Sequence, residues 1–166
     1  STTKFLDQPP PGALPWQRVD FDDSSWRTVT LPCGYDRNSA ALTALLGTDV
    51  PQVLGQGRDV FHRHRFSFSA AQSALVGAYG ARLRIAADNC ASAWINGVQV
   101  VVGSSDSNYR YWNYDVPITA AVLRQANATA PGVTNVLAFQ VFNSVNSSDQ
   151  FLDFDLIVDT SLVSII

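Results

Sequence analysis

The chain of 166 residues carries a formal net charge of −3 and is 46% hydrophobic but only 15% charged. This length suits one domain with a core of its own. The sequence has no run of Lys or Arg that would neutralise a phosphate backbone, so we expect no nucleic-acid partner. It also has no apolar stretch near the ~20 residues that a membrane-spanning helix needs, so we expect no membrane span.

The residue types favour β structure. All 14 acidic residues are aspartate, and the sequence contains neither methionine nor glutamate. These two residues are good helix formers, whereas Val, Phe, Thr, Tyr and Trp suit the half-buried, pleated surface of a sheet. The composition therefore predicts an all-β domain.

Three zones follow one another along the chain. Residues 1–15 are rich in proline, and we interpret them as an extended arm. Residues 16–160 alternate apolar and polar residues in short blocks, which is typical of a β-sandwich or barrel. Residues 161–166 form an apolar tail. The predicted strands are 26–31, 59–68, 81–87, 91–102, 109–116, 135–142 and 151–158.

Local signals refine this pattern. Residues 38–46 and 118–125 combine a capping residue with helix formers and predict two short helices between strands. Asn96-Gly97 lies between apolar runs and predicts a tight hairpin turn, because a type I′ turn needs positive φ at both positions. Short polar side chains at residues 22–25 predict a turn before Trp26.

The order of five segments carries a family resemblance. The segments are FDDSSWRTVTLP, GRDVFHRHRFSF, RIAADNCASAWINGVQV, YWNYDVPITAAV and TNVLAFQVFN. Together they resemble the jelly-roll domain at the amino end of β-galactosidases and β-glucuronidases, whose galactose-binding-domain-like fold also occurs in carbohydrate-binding modules. The resemblance covers residues 16–158. It implies a two-sheet jelly-roll β-sandwich with one or two short helices in loops.

Two cysteines and two sequons bear on the compartment. Cys33 and Cys90 have no CxxC spacing, and in a secreted chain they predict a disulfide. Two buried, separate thiols are the alternative. The triplets that begin at Asn127 and Asn146 match N-glycosylation sites. We therefore expect a secreted or cell-surface glycoprotein.

The sequence offers little for catalysis. His62 and His64 are the only histidines, and two ligands are too few for a typical zinc site. We expect them to line one sheet face beside Phe66 and Phe68. No GxSxG elbow accompanies Asp59, so a hydrolytic triad is not predicted. In the enzymes that the chain resembles, the chemistry belongs to a separate barrel domain, so we expect no enzyme.

Three loops provide candidate ligand residues, because a rigid sandwich positions loops while leaving their sequence free. These loops are residues 34–38, 104–110 and 143–150. Strand alternation places Trp112 and Tyr114 toward the core and the neighbouring tyrosines outward. The alternative is that these side chains are ordinary solvent-exposed residues of loops and sheet surfaces and bind no ligand. The candidate residues are Tyr35, Arg37, Asp106, Tyr109, Arg110, Tyr111, Asn143 and Asn146.

The resemblance also suggests a structural calcium ion, since many carbohydrate-binding domains of this fold hold one near the chain ends. Calcium takes six to eight oxygen ligands. The candidate ligands are Asp22, Asp23, Asp36, Asp153 and Asp155.

These observations predict a non-catalytic domain that binds carbohydrate or glycoconjugate, with a glycan or glycoprotein as partner. One alternative is an adhesion or assembly domain that binds protein, for which the exposed aromatic residues and the apolar tail would form the interface. A second alternative is an accessory domain of a larger glycoside hydrolase, which would contact the other domains of that chain. The fold alone does not distinguish these uses.

Overall fold

The computed structural model describes residues 1–7, 10, 15–50, 59–103, 112–143 and 148–158. These residues form eleven strands and three helices. The strands are β1 Thr2–Leu6, β2 Arg27–Thr30, β3 Cys33–Asp36, β4 Thr48–Asp49, β5 Val60–Phe66, β6 Ala81–Asp88, β7 Cys90–Ile95, β8 Val98–Val101, β9 Tyr114–Ile118, β10 Asn135–Phe142 and β11 Asp149–Val158. The helices are α1 Ala40–Thr43, α2 Ala70–Tyr79 and α3 Ala120–Gln125.

The strands form the two sheets of a β-sandwich. The first sheet has the order β2-β1-β5-β10-β7-β8 and is antiparallel throughout. The second has the order β4-β3-β11-β6-β9 and contains one parallel pair, β3 with β4. The predicted all-β, two-sheet architecture is confirmed.

The core lies between the sheets and is built by strand alternation. On β10, Leu137, Phe139 and Val141 are almost fully buried, as their spacing predicts. On β11, Leu152 and Phe154 face the same core, and the Phe139 and Phe154 rings stack with centroids 4.5 Å apart. Apolar residues two apart on facing strands therefore close the sandwich.

The Asn96-Gly97 hairpin between β7 and β8 is confirmed. Asn96 has φ of 48° and Gly97 has φ of 89°, as a type I′ turn requires. The Asn96 side-chain amide also donates to the Ala126 carbonyl at 2.8 Å and to Asn135 Oδ1 at 2.9 Å. The turn residue thus ties the hairpin to the end of α3 and the start of β10.

Some secondary structure differs from the prediction. Residues 2–6, assigned to the extended arm, form β1 between β2 and β5, because Thr3 and Phe5 alternate inward and this stretch contains no proline. Residues 34–36, part of the predicted loop 34–38, belong to β3. Helix α2 was not predicted. Trp112 lies in a turn with φ of 56° before β9 and not on a strand that faces the core.

Cys33 and Cys90 are buried but are not joined by a disulfide, so that prediction is wrong. Cys33 lies with Phe5 of β1 and Val60 of β5 around one small internal gap, whereas Cys90 begins β7. Strand β10 separates β5 from β7 in the first sheet. Cys33 belongs to the second sheet and Cys90 to the first, and the two cysteines are not within disulfide distance.

Candidate ligand-binding site

The described parts of two predicted ligand loops, 34–38 and 143–150, lie at one end of the sandwich, and the strands that flank the third, 104–110, end there as well. In the second sheet, Asp36 at the end of β3 is paired with Asp149 at the start of β11. In the first sheet, Phe142 at the end of β10 is paired with Cys90 at the start of β7. The connections β3–α1, β6–β7, β8–β9 and β10–β11 therefore begin or end at the same end of the fold, here called the loop end.

A narrow cleft opens at the loop end. About 20 Å³ of its interior admits water, which is room for roughly one molecule. A sugar ring would therefore lie across the mouth of the cleft and not inside it. Carboxylates and apolar side chains both contribute to the walls. The lining residues are Tyr35, Asp36, Leu42, Leu45, Leu46, Asp88, Asp149 and Phe151.

Tyr35 and Asn143 form the floor beneath the loops. Tyr35 is only 2% exposed and Asn143 9%. The Asn143 amide donates to the Tyr35 hydroxyl at 3.3 Å, and the Asn89 amide donates to Asn143 Oδ1 at 3.3 Å. Burial raises the pKa of Tyr35, and the nearby carboxylates add to this effect. Both predicted ligand residues thus brace the loop bases and offer little open surface.

Arg37 is the candidate that solvent reaches. Arg37 is exposed, and its guanidinium carbon lies 5.4 Å from the centre of the Tyr35 ring. The Arg37 backbone N–H donates to the Ser148 carbonyl at 2.9 Å. This bond joins the β3–α1 turn to the β10–β11 connection, so that two predicted loops act as one surface.

The other predicted ligand residues lie outside the described residues. They are Asp106, Tyr109, Arg110, Tyr111 and Asn146. Their participation stays a prediction from the sequence.

Several lining residues were not predicted from the sequence. Asp88, the last residue of β6, lines the cleft, and together with the next residue, Asn89, it forms a short polar pair that interrupts two apolar runs. Leu42, Leu45 and Leu46 come from α1 and the turn after it. The polar pair was a visible turn signal. The leucines carried no such signal, because an apolar helix face is normally assigned to the core.

The five predicted calcium ligands do not form one site. The described residues contain no group of three or more His, Cys, Asp or Glu side chains that could hold a metal ion. Asp36 Oδ1 instead accepts hydrogen bonds from the backbone N–H groups of Asn38 and Ser39, at 2.7 and 2.8 Å. It therefore shapes the entry to α1.

The remaining aspartates have separate positions as well. Asp22 accepts the Ser24 backbone N–H at 2.9 Å and closes the predicted turn. Asp23 forms ion pairs with Arg63 at 2.8 Å and Arg65 at 3.2 Å. Asp153 and Asp155 belong to β11 in the second sheet. A calcium site stays a prediction that rests on the resemblance alone. The positions of these five aspartates do not support it.

The two histidines lie on the same side of β5, as strand alternation predicts. His62 is 1% exposed and meets the Phe5 ring edge-on at 5.2 Å, and burial lowers its pKa to about 3. His64 Nδ1–H donates to the Thr2 carbonyl at 2.8 Å, and its ring stacks near Phe66. A neutral, enclosed imidazole such as His62 cannot reach a substrate at the surface.

Among the described residues, none of the helices has the length and apolar character that crossing a membrane requires.

Comparisons with known proteins identify the fold. No family model matches the sequence, and no curated protein matches it. Solved structures do match. A Bacteroides uniformis β-glucuronidase superposes with a TM-score of 0.52 at 15% identity, over 92% of this chain and 18% of that one. The chain shares its fold with a part of this enzyme.

Two further β-glucuronidases agree. The Ruminococcus gnavus enzyme in complex with D-glucuronic acid gives a TM-score of 0.51 at 12% identity, over 86% of this chain and 21% of that one. A β-glucuronidase from glycoside hydrolase family 2 gives 0.51 at 18% identity, over 86% of this chain and 13% of that one. The chain thus spans about a fifth or less of these structures. At such identities the likeness concerns the fold, which confirms the sandwich that the sequence resemblance implied.

Proposed function

We propose that the chain is a non-catalytic carbohydrate-binding domain of a secreted or cell-surface protein, with the ligand held at the loop end. The cleft that residues of two predicted ligand loops, 34–38 and 143–150, line together carries this proposal. Arg37 would donate to sugar hydroxyls, and the apolar wall formed by α1 would meet the C–H face of a ring.

The cleft dimensions set the expected strength of binding. A ligand that rests on the mouth of so small a cleft buries little surface, so we expect a monovalent dissociation constant of about 0.1–1 mM, or roughly −4 to −5.5 kcal/mol. Several copies acting together would raise the apparent affinity without new contacts.

The chemistry of the described residues supports a role without turnover. His62 is enclosed in the core, and His64 Nδ1–H donates to the Thr2 carbonyl. Asp36 is engaged with backbone N–H groups at 2.7 and 2.8 Å. Glycosidases use two carboxyl groups on either side of the scissile bond, and a cleft with room for one water molecule does not admit a glycosidic linkage between its walls.

A glycan array tests the proposal. The chain is biotinylated and displayed as a tetramer on streptavidin, so that weak binding becomes measurable. Arg37→Ala should reduce the glycan signal, while Arg124→Ala on α3, an exposed arginine on a different element, should leave it unchanged. Tyr109→Ala and Tyr111→Ala test the aromatic residues predicted from the sequence. An arm with chelator tests the calcium prediction.

Two results would contradict the proposal. One is a folded, tetrameric chain that gives no signal on any glycan. The other is release of sugar from aryl glycosides by the purified chain. Self-association or a protein partner in place of glycan binding would favour the adhesion alternative.

A second candidate function is an accessory domain of a larger glycoside hydrolase. It is favoured by the comparison with solved β-glucuronidases, of which the chain spans 13 to 21%. The coding sequence on either side of the chain distinguishes the two functions, because the second requires an adjoining catalytic domain.

A further inference from the structure

Asn127 occupies an exposed turn directly after α3. Its φ of 52° is left-handed, a conformation that Asn adopts more readily than most residues. The Asn127 backbone N–H donates to Arg124 O at 3.0 Å, and the next N–H, that of Ala128, donates to Leu123 O at 2.9 Å. Ala128 is fully buried, so the turn is anchored on both sides of an exposed asparagine.

The triplet that begins here fits a modification. Asn127, Ala128 and Thr129 match the sequon for N-linked glycosylation. The Asn127 side chain makes no hydrogen bond to any part of the chain that the structure describes. No hydrogen bond within this part of the chain therefore competes with modification of the amide nitrogen, and the residue is exposed to solvent.

A groove of about 530 Å³ lies beside Asn127. This volume is within the roughly 300–1,000 Å³ of pockets that hold small molecules. Val19 and Val133 on its walls are 39% and 47% exposed, although both are apolar. Asn96 and Gly97 of the hairpin complete one side. The first sugars of an attached glycan would cover these valines.

The groove and the loop end are at opposite ends of the sandwich. Asn96 bonds to Ala126 and Asn135, which places the Asn127 turn at the start of β10. Asn143 follows the other end of β10. Eight residues of strand span about 26 Å, so a glycan on Asn127 would leave the proposed ligand site open.

We propose that Asn127 is an acceptor for an N-linked glycan whose first sugars lie in this groove. In the transfer, the Asn127 amide nitrogen forms a bond to the anomeric carbon of an oligosaccharide carried on a lipid diphosphate. The bond from that carbon to the diphosphate oxygen breaks, and the amide loses one proton as the lipid diphosphate leaves. This proposal does not depend on sugar binding at the loop end.

The test is secretion of the whole chain from a eukaryotic host, followed by intact-mass and glycopeptide analysis with and without peptide-N-glycosidase. Asn146→Gln removes the second sequon and should leave Asn127 modified. Asn127→Asp abolishes the modification while keeping a residue type that tolerates left-handed φ. Thr129→Ala should abolish it too, and Thr129→Ser should retain it.

A secreted, folded Asn146→Gln chain with unmodified Asn127 would overturn the proposal. Hydroxyl-radical footprinting tests the place of the glycan. Val133 should be protected in the modified chain and become reactive after enzymatic removal of the glycan. Equal reactivity of Val133 in both forms would overturn the assignment of the groove.

Discussion

Arg63 and Asp23, 40 residues apart in the sequence, form a buried ion pair in which Arg63 Nε donates to Asp23 Oδ2 at 2.8 Å. The Arg63 guanidinium also donates to the carbonyls of Trp16, Arg18 and Phe21. Its charge is therefore paired and each of its three guanidinium nitrogens donates a hydrogen bond, although no part of the side chain is exposed.

This ion pair fastens residues 15–26 to the outer face of the first sheet. Phe21, Trp26 and Phe61 form a small apolar cluster there, separate from the main core. Burial opposes ionisation of Asp23, but the hydrogen bonds and charges of Arg63 and, to a lesser extent, Arg65 outweigh it and hold the pKa of Asp23 below its usual value. Arg63 is the buried member of the two β5 arginines that hold the covering segment, since Arg65 pairs with Asp23 as well.

Replacing Arg63 by Met should destabilise the protein strongly. The substitution removes the positive charge and hydrogen bond of Arg63 and leaves the Asp23 carboxylate buried. We therefore expect the free energy of unfolding to fall by about 3–5 kcal/mol. Urea unfolding followed by tryptophan fluorescence measures this loss. Asp20→Asn is the control, because the Arg18–Asp20 pair is exposed and should contribute little. A loss for Arg63→Met no larger than that for Asp20→Asn would contradict the role of the buried pair.

His62 should make the fold sensitive to acid. Its pKa falls from 6.5 to about 3 on folding because burial disfavours the imidazolium. Above pH 6.5 both states are neutral at this residue. Below that pH the unfolded chain binds a proton that the folded chain does not, so stability falls by up to about 1.4 kcal/mol per pH unit as the pH drops toward 3.

Urea unfolding between pH 7 and about pH 4 measures this dependence. His62→Leu should flatten the slope, and His64→Leu serves as the matched control on the same strand. An unchanged slope in the His62→Leu variant would show that other groups cause the acid sensitivity.

The two cysteines should behave as buried thiols. Burial raises the pKa of Cys33 to about 12, so its reactive thiolate is scarce at neutral pH. We expect native protein to react slowly with a thiol reagent and two thiols to react promptly in denaturant without reductant. If thiols appear only after reduction, Cys33 and Cys90 form a disulfide after all.

Gly34 and Gly77 should respond in opposite directions to alanine. A Cβ on Gly34 would lie 2.0 Å from the Gln150 carbonyl oxygen of the paired strand β11, so Gly34→Ala should force β3 away and cost roughly 1–3 kcal/mol or more. A Cβ on Gly77 in α2 meets nothing within 4 Å. Gly77→Ala should therefore stabilise the protein by about 0.5–1 kcal/mol.

Thermal unfolding of the two alanine variants and the parent measures both effects. A tolerated Gly34→Ala would mean that β3 and β11 are less closely paired than the structure has them.

The candidate site could be predicted only in part. The loops were identified because glycine, asparagine and aspartate interrupt apolar alternation, which is a local signal. The roles of Tyr35 and Asn143 were not evident, since their hydrogen bond joins residues 108 apart. Whether a polar side chain faces solvent or braces a loop depends on what packs above it.

Helix α2 shows a local signal that was overlooked. Ser69 and Gln72 form a reciprocal capping box, with hydrogen bonds of 2.9 and 3.3 Å, at the start of the helix. The helix presents little apolar periodicity, since Ser73 and Val76 are its buried residues. The sequence therefore contains a capping signal for α2, although it contains no apolar periodicity that would predict this helix.

Local patterns in the sequence suffice to predict the all-β character, the strands with clear alternation such as β10 and β11, and the Asn96-Gly97 turn. Each depends on residues within a few positions of one another, because strand pleating and turn φ values are local properties. The tertiary structure alone decided that Thr2–Leu6 pairs with β5, that Cys33 and Cys90 are not joined, and that Arg63 is buried against Asp23. These outcomes depend on which strands become neighbours and on the solvation that each buried group loses, and neither is encoded in a short stretch of residues.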